Sequence, residues 1–240
     1  MSTARIGLIL PEVLGTYGDS GNAHVLCKRL EWRGYDAEVV PVLLGEPVPH
    51  GLDIYLLGGG EDGAQALATE HLRKHIGLGK AVENGAIVLA ICAGLQVLGT
   101  RFRGSDGVDH EGLGLLDVVT EPGEPGTPRA VSELVAEGGA ILGGEALTGF
   151  ENHQGRTKLG EGSIPLGRVV SGTGNGDGTE GAVTGHVVGT YLHGPALARN
   201  PALADLLLTW LVGHELEPLD MPEVDKLRAE RFAAAKRRRS

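Results

Sequence analysis

Apolar and polar positions along the first hundred residues follow two alternating periods. Four apolar runs have the length and composition of buried strands, and they lie at residues 5–10, 37–42, 53–57 and 86–91. Apolar residues after Asp19-Ser20 and over residues 64–84 instead recur every three or four positions, as on a helix with one buried face, although Gly77 and Gly79 interrupt the second pattern. Strands that alternate with helices predict an α/β fold with a doubly wound, mostly parallel sheet. In such sheets, functional sites form beyond the carboxyl ends of the strands.

The chain after Thr100 has a higher glycine and proline density and shorter apolar runs. Five of these runs have β character, at residues 115–120, 130–136, 147–152, 168–170 and 187–191. We expect them to form an antiparallel extension and the far edge of the sheet. A last helix is predicted at residues 201–212. The sequence therefore predicts one domain over residues 1–215 and a basic tail, helical or disordered, over residues 216–240.

Composition and charge narrow the class of protein. A length of 240 residues suits a single domain, and 4% aromatic residues with 40 glycines favour an Ala/Val/Leu-packed α/β fold with many tight turns. The net charge of -10 argues against nucleic-acid binding. Two cysteines cannot form a disulfide framework, and neither a signal segment nor a transmembrane run is evident. We expect a cytoplasmic protein whose basic residues 226–239 form a solvated tail rather than an anion-docking site.

The segment at residues 86–99 carries the clearest chemical signal. An apolar strand ends at Cys92, small residues stand two places to either side at Ala90 and Gly94, and a helix-compatible run follows. This pattern is typical of a nucleophile elbow, and it places the thiol at a helix N-terminus, where a thiolate is favoured. The alternative is a buried cysteine at the end of a core strand. Cys27 lies on an apolar helix face and is expected to be structural.

A glycine-rich loop at residues 58–63 follows the third strand. It matches the G-x-G-x-x-G dinucleotide fingerprint, but its two acidic residues would stand where a pyrophosphate should lie, so we reject that interpretation. Glycines after a strand offer bare backbone N–H groups. Beside Cys92, those of Gly59 and Gly60 are predicted to form half of an oxyanion hole, and that of Ala93 the other half.

Three further polar residues have both a functional and a structural interpretation. His193 ends a β-type run, as Cys92 does, which makes a Cys–His pair possible, although a lone histidine is more often a packing residue. His153 follows a strand in a polar cluster that suits a hydrogen-bonded turn as well as an active-site wall. Asp19, after a glycine in a loop, is interpreted as a helix cap rather than a catalytic acid.

The order of these features resembles the class I, or triad-type, glutamine amidotransferases. The glycine-rich loop comes first, then the cysteine elbow with Gln96 four residues on, then a late His193. Most members of that class carry His-x-Glu, whereas this chain has His193-Gly194-Pro195, which resembles the branch of cobyric and cobyrinic acid synthases. Within it, GGGEDGAQ, GFENHQGRT and TYLHGP, at residues 58–65, 149–157 and 190–195, resemble the glutaminase subunits of lipid II isoglutaminyl synthases.

The resemblance implies a flavodoxin-like fold and hydrolysis of glutamine to glutamate and ammonia. Cys92 would form the thioester and His193 would act as its base. Gln96 and Arg129 would bind the substrate glutamine, with the oxyanion held by Gly59, Gly60 and Ala93 as above.

The resemblance also implies a heterodimer for peptidoglycan biosynthesis. A Mur-ligase-like partner would use the ammonia to convert the D-glutamate α-carboxylate of lipid II to D-isoglutamine. Because this sequence has no GxxxxGK[ST] loop, ATP and Mg²⁺ are expected on the partner, with no cofactor and no metal in this chain.

Other functions stay open at this point. The same residues would serve a glutaminase that supplies corrinoid a,c-diamide or other carboxylate amidation, and the absent His-x-Glu acid would suit a catalytically silent binding module. A cysteine hydrolase or chaperone is disfavoured because Gln96 would then have no role. For the absent acid, the leading hypothesis is that the partner supplies the group that orients His193, with Glu151 as the internal alternative.

Overall fold

The computed structural model describes residues 3–104 and 107–237. In chain order, the strands are β1 Ala4–Ile9, β2 Ala37–Val42, β3 Ile54–Leu57, β4 Ile87–Ile91, β5 Arg101–Arg103, β6 Asp109–Glu111, β7 Val118–Pro122, β8 Ala130–Gly138, β9 Ala146–His153, β10 Gly155–Leu159, β11 Gly167–Ser171, β12 Thr179–Glu180, β13 Ala182–Thr184 and β14 Val187–Thr190. The α-helices are α1 Gly21–Glu31, α2 Asp62–Lys74, α3 Gly77–Glu83, α4 Ala93–Leu98, α5 Ala196–Arg199, α6 Pro201–Val212 and α7 Pro222–Arg237.

The central sheet has six strands in the order β13-β14-β4-β3-β1-β2. All neighbours run parallel except β13, which pairs antiparallel with β14 at one edge. The chain moves outward from β1 to β2 in one direction and from β3 to β4 in the other, so right-handed crossovers place their helices on opposite faces. The predicted α/β fold with a doubly wound, mostly parallel sheet is confirmed. β1, β3, β4 and β14 end at the same sheet edge.

The predicted antiparallel extension consists of two additional four-stranded sheets. Their strand orders are β10-β7-β5-β6 and β12-β11-β8-β9. Every pairing in them is antiparallel except that of β5 with β7. The long β8–β9 pair joins the extension to the carboxyl edge of the central sheet, because the backbone of Phe150 in β9 exchanges two hydrogen bonds with that of His193, at 3.2 and 2.8 Å.

The helix predicted over residues 64–84 is two helices, α2 and α3, with a break at residues 75–76. The break lets the chain turn so that Gly77 packs directly on the loop before β3. A side chain there could not fit, since a Cβ on Gly77 would lie 1.8 Å from the carbonyl oxygen of Val48. Among the described residues, no helix has the length and apolar character needed to cross a bilayer.

Part of the chain after α6 packs against the extension. Helix α7 contacts β8, β9 and β11, and Arg228 donates a hydrogen bond of 2.7 Å to the Ala146 carbonyl. The expectation of a purely solvated tail is therefore wrong for α7, while residues 238–240 lie outside the described part of the chain. The division into residues 1–215 and 216–240 stays a prediction.

Candidate functional site

Four loops meet at the carboxyl edge of the central sheet. They follow β14, β4, β3 and β1, which are consecutive neighbours, and they carry His193, Cys92, Gly59 and Asp19 respectively. A Cβ added to Gly59 would lie 2.6 Å from His193 Cε1, 3.2 Å from Asp19 Oδ2 and 3.5 Å from Cys92 Cβ. The glycine is therefore the point at which the three side chains converge.

Cys92 has the strained backbone of a nucleophile elbow. It lies between β4 and α4 with φ 52° and ψ -104°, a region that residues with side chains rarely occupy. The turn brings Gly94 so close to β3 that a Cβ there would lie 3.0 Å from the Gly58 carbonyl oxygen. The predicted strand–cysteine–helix geometry is thus present. Cys27, by contrast, is buried in α1, and burial raises the pKa of its thiol.

His193 is held by a carboxylate that the sequence did not reveal. Its Nδ1 lies 3.0 Å from Asp19 Oδ2 and 3.2 Å from Oδ1, and both side chains are almost fully buried. Asp19 is not a helix cap, because α1 is preceded by Ser20 and its first turn receives no side-chain cap bond. The orienting acid therefore lies within this chain, which corrects the hypothesis that the partner supplies it. Glu151 lies instead against His153.

The electrostatic environment of His193 favours its charged form. Burial by itself lowers the pKa of the imidazole, but hydrogen bonding and charge at Asp19 and at the Cys92 thiol outweigh burial and raise the pKa to about 9. Nε2 is buried without a conventional hydrogen-bond partner among the described residues. The nearby Cys92 thiol nevertheless contributes to the raised pKa of the ring. An imidazolium beside a thiol is the arrangement that stabilises a thiolate nucleophile.

Of the three residues predicted to supply oxyanion donors, one already has its backbone N–H in a hydrogen bond, and the other two line the pocket. The Gly59 N–H donates a hydrogen bond of 2.8 Å to Asp19 Oδ2, so it is committed to the acid rather than to a substrate. The expectation for Gly59 is therefore wrong in this arrangement, and its role is to let the imidazole approach. Gly60 and Ala93 both line the pocket at Cys92.

A pocket of about 280 Å³ opens in front of Cys92. Its wall includes Gln96 and Arg129, both predicted to bind substrate, and also Asp62, Arg103, Asn152 and His153. The structure therefore brings the predicted substrate-binding residues to the candidate nucleophile. A cavity with two guanidinium groups and several carboxamides suits a small ligand with a carboxylate and an amide. Among the described residues, no cluster of His, Cys, Asp and Glu is arranged to hold a metal ion.

Gln96 is fixed by side chains on both sides of its carboxamide. Its Oε1 accepts a 2.7 Å hydrogen bond from Gln65, and its Nε2 donates one of 3.1 Å to the Tyr191 hydroxyl. Burial raises the pKa of Tyr191 to about 12, so this hydroxyl stays protonated and can pass the bond on to Thr157 at 2.7 Å. One N–H and one lone pair of Gln96 remain for a ligand.

His153 forms part of the pocket wall rather than of a simple turn. Its ring stacks on Tyr191 with centroids 3.8 Å apart, its Nδ1 lies 3.0 Å from the Gly155 carbonyl oxygen, and its Nε2 lies 3.3 Å from Glu151 Oε2. Burial would raise the pKa of Glu151, but hydrogen bonds from His153, Ser132 and two backbone N–H groups outweigh it and lower that pKa. This buried pair supports the pocket from behind.

Comparison with known proteins gives one family and a consistent set of relatives. A family model for CobB/CobQ-like glutamine amidotransferase domains matches residues 5–201. The GatD subunit of the glutamine-hydrolysing lipid II isoglutaminyl synthase of Staphylococcus aureus is 37% identical over 220 residues, which are 90% of this chain and 87% of that protein. Its Streptococcus pneumoniae counterpart is 35% identical over 209 residues, or 85% of this chain and 79% of that one.

Other relatives are similar over a smaller share of their length. Cobyric acid synthase of Pelotomaculum thermopropionicum is 44% identical over 146 residues, but these are 55% of this chain and 27% of that protein. Among solved structures, a glutamine amidotransferase superposes with a TM-score of 0.59 at 21% identity, over 86% of this chain and 98% of that one. A second, from Thermotoga maritima, gives 0.52 at 16% identity, over 99% and 92%. These two likenesses show the fold.

Proposed function

The chain belongs to the CobB/CobQ-like glutamine amidotransferase family, and on that premise we propose that it is the glutamine-hydrolysing subunit of a lipid II isoglutaminyl synthase. The observation that carries the chemistry is the convergence of Cys92, His193 and Asp19 on Gly59, with Cys92 also lining a pocket that contains Arg129. The proposed acceptor is supported by the two isoglutaminyl synthase subunits, which this chain matches along most of their length.

The proposed reaction is acyl transfer through a thioester. The Cys92 thiolate attacks the side-chain carbonyl carbon of glutamine, and the negative charge moves to the carbonyl oxygen. His193, held at Nδ1 by Asp19, gives the proton on Nε2 to the amide nitrogen, and ammonia leaves as the C–N bond breaks. His193 then takes a proton from water, whose oxygen attacks the thioester. Glutamate departs and the thiolate is restored.

The oxyanion is assigned to the Gly60 and Ala93 backbone N–H groups. Both residues border the pocket beside the nucleophile, whereas the Gly59 N–H is already bonded to Asp19. Ala93 is the first residue of α4, so its N–H has no intrahelical acceptor. Loss of one such donor typically costs about 10²–10³ in kcat.

The substrate glutamine is oriented by its polar ends. Arg129 would pair with the α-carboxylate, for which the planar guanidinium fork is well shaped. Gln96 would hold the substrate through its one remaining N–H and lone pair. A pocket of about 280 Å³ suits a ligand of this size.

The second half of the proposed reaction takes place on a partner subunit. Ammonia does not displace oxygen from a free carboxylate, so the D-glutamate α-carboxylate must first be activated. We assign ATP and Mg²⁺ to a Mur-ligase-like partner that forms a heterodimer with this chain. Corrinoid amidation would use the same residues here, but the cobyric acid synthase relative is matched over only 27% of its length.

The experiment that tests the hydrolytic half measures glutamate release from glutamine and labelling by a glutamine-analogue diazoketone. Cys92→Ser should abolish both while the fold is retained, because serine fills the elbow without bulk. Cys27→Ser is the matched control, since it changes a buried thiol in α1, and it should lower thermal stability while leaving the label on Cys92. Turnover by Cys92→Ser near the intact rate would refute the nucleophile. Reconstitution with the Mur-ligase-like protein, ATP and lipid II tests the acceptor, with a corrinoid acid as the competing substrate.

A further inference from the structure

Three side chains form a chain of contacts from the substrate pocket to the catalytic histidine. Arg129 donates from Nε to Asn152 Oδ1, Asn152 donates from Nδ2 to the Tyr17 hydroxyl, and the Tyr17 ring lies edge-on to His193 with centroids 4.9 Å apart. We call Arg129, Asn152 and Tyr17 the Asn152 bridge. Each member comes from a different part of the chain, so the sequence gives no sign of it.

The Asn152 bridge decides which edge of the Arg129 guanidinium faces the pocket. Nε donates to Asn152 Oδ1, and Nη2 donates to the Asn152 backbone oxygen at 3.1 Å. These bonds occupy the side edge of the guanidinium. Nη1 has no hydrogen-bond partner among the described residues, so the end edge, Nη1 with the second Nη2 hydrogen, is left for a carboxylate.

The same bridge fixes the aromatic ring beside His193. A carboxamide that accepts from Arg129 with its oxygen must offer its nitrogen to the other neighbour, and that neighbour is the Tyr17 hydroxyl. Tyr17 is in the left-handed backbone region, with φ 61°, and its side chain is 46% exposed. Packing alone therefore holds the ring weakly. The hydrogen bond to Asn152 holds the Tyr17 ring against the imidazole of His193.

We infer that Asn152 is a positioning residue, an inference that rests on the proposed function. It orients the Arg129 guanidinium for the α-carboxylate of glutamine and holds the Tyr17 ring against His193. One carboxamide thereby joins substrate recognition to the placement of the base. A purely structural role would instead be to stabilise β9 where it pairs with β8. The two roles differ in one measurable respect, because only positioning depends on whether the substrate has an α-carboxylate.

The test compares kcat/KM for L-glutamine with that for γ-aminobutyramide, which keeps the reacting amide and the amino group but lacks the carboxylate. Asn152→Ala should lower the ratio of the two values about tenfold to a hundredfold, the usual range for one hydrogen bond to a charged group. Arg129→Ala should lower the same ratio at least as far. The Asn152→Ala, Arg129→Ala double variant should lose little more than Arg129→Ala, because both act on one contact.

Tyr17→Phe isolates the other arm of the bridge. It keeps the ring and removes the hydroxyl, so it should lower kcat about twofold to tenfold on both substrates and leave the ratio unchanged. Asn152→Ala should lower the γ-aminobutyramide rate by the same factor as Tyr17→Phe. Asn84→Ala is the matched control, because the Asn84 side chain donates to the Lys80 carbonyl at the opposite end of β4, and it should change neither value.

The outcomes separate this inference from the proposed function. The positioning role is overturned if Asn152→Ala lowers kcat/KM equally for both substrates. It is also overturned if Asn152→Ala leaves the ratio unchanged while Arg129→Ala lowers it. Either result leaves the proposed glutaminase activity intact. Folding of the Asn152→Ala variant is verified by its thermal melt, and Tyr17→Phe tests the bridge independently if that variant does not fold. Absence of glutamine hydrolysis by the intact protein, alone and with its partner, would overturn the proposed function itself.

Discussion

Substitution of Asp19 tests the arrangement that the sequence did not reveal. Asp19 Oδ2 accepts from both the Gly59 N–H, at 2.8 Å, and His193 Nδ1, at 3.0 Å. In Asp19→Asn the amide oxygen must take the Oδ2 position, because an amide nitrogen there would face the Gly59 N–H. The tautomer of His193 is then kept, and what is lost is the negative charge. Asp19→Ala removes the charge and the acceptor together.

The size of the loss follows from the charge that supports the imidazolium. The pKa of His193 stands at about 9 against an ordinary 6.5, although burial opposes the rise. This shift is worth about 3 kcal/mol, of which Asp19 contributes part. Asp19→Asn should therefore lower kcat about tenfold to a hundredfold, while Asp19→Ala should approach the roughly 10⁴ loss known for a triad acid. The pKa of His193 should also fall, so the part of the pH–rate profile that reports its titration should move to lower pH.

The assay is glutamate release by the isolated chain at saturating glutamine, across pH 6 to roughly 10 so that both protonation states of His193 are sampled. Asp53→Asn is the matched control, since Asp53 accepts from the Arg5 N–H at the opposite end of the central sheet. A loss smaller than threefold in Asp19→Ala, in a folded protein, would refute internal orientation of His193. A partner-supplied acid would then again be the leading hypothesis.

Three further predictions concern single contacts. Gly59→Ala should lower kcat about 10²-fold in a folded protein, because its Cβ would lie 2.6 Å from His193 Cε1; an unchanged rate would show that the ring can move aside. Arg129→Ala should lower kcat/KM for glutamine about tenfold to a hundredfold, mainly through KM, and unchanged kinetics would remove it from the site. Burial raises the pKa of Glu180 to about 7, so stability should fall as pH rises from the unfolded value of 4.5 to 7, by on the order of 3 kcal/mol. Glu180→Gln should abolish that pH dependence in thermal melts and stabilise the protein at pH 8; a pH dependence that persists would refute the assignment.

Much of the fold could be predicted because its signals are local. β2 and α6 have the predicted bounds, and β4 begins one residue later than expected, since apolar runs and helical spacing report which positions are buried. The cysteine elbow was also predictable, because its small neighbours and the strand before it are contiguous with Cys92. Gly77 marked the break between α2 and α3 in the sequence. The close packing at that break could not be predicted, because it depends on contact with the distant Val48.

Local patterns in the chain were enough to predict the α/β class, the elbow at Cys92 and a histidine, His193, close after a strand. Tertiary structure alone decided what surrounds them. The strand order β14-β4-β3-β1 brings Asp19 to His193 across 174 positions, and the β8–β9 pair brings Asn152 between Arg129 and Tyr17. Strand order and side-chain direction are set by the packing of the whole domain, so residues that meet only through them leave no periodic or spaced pattern in the chain.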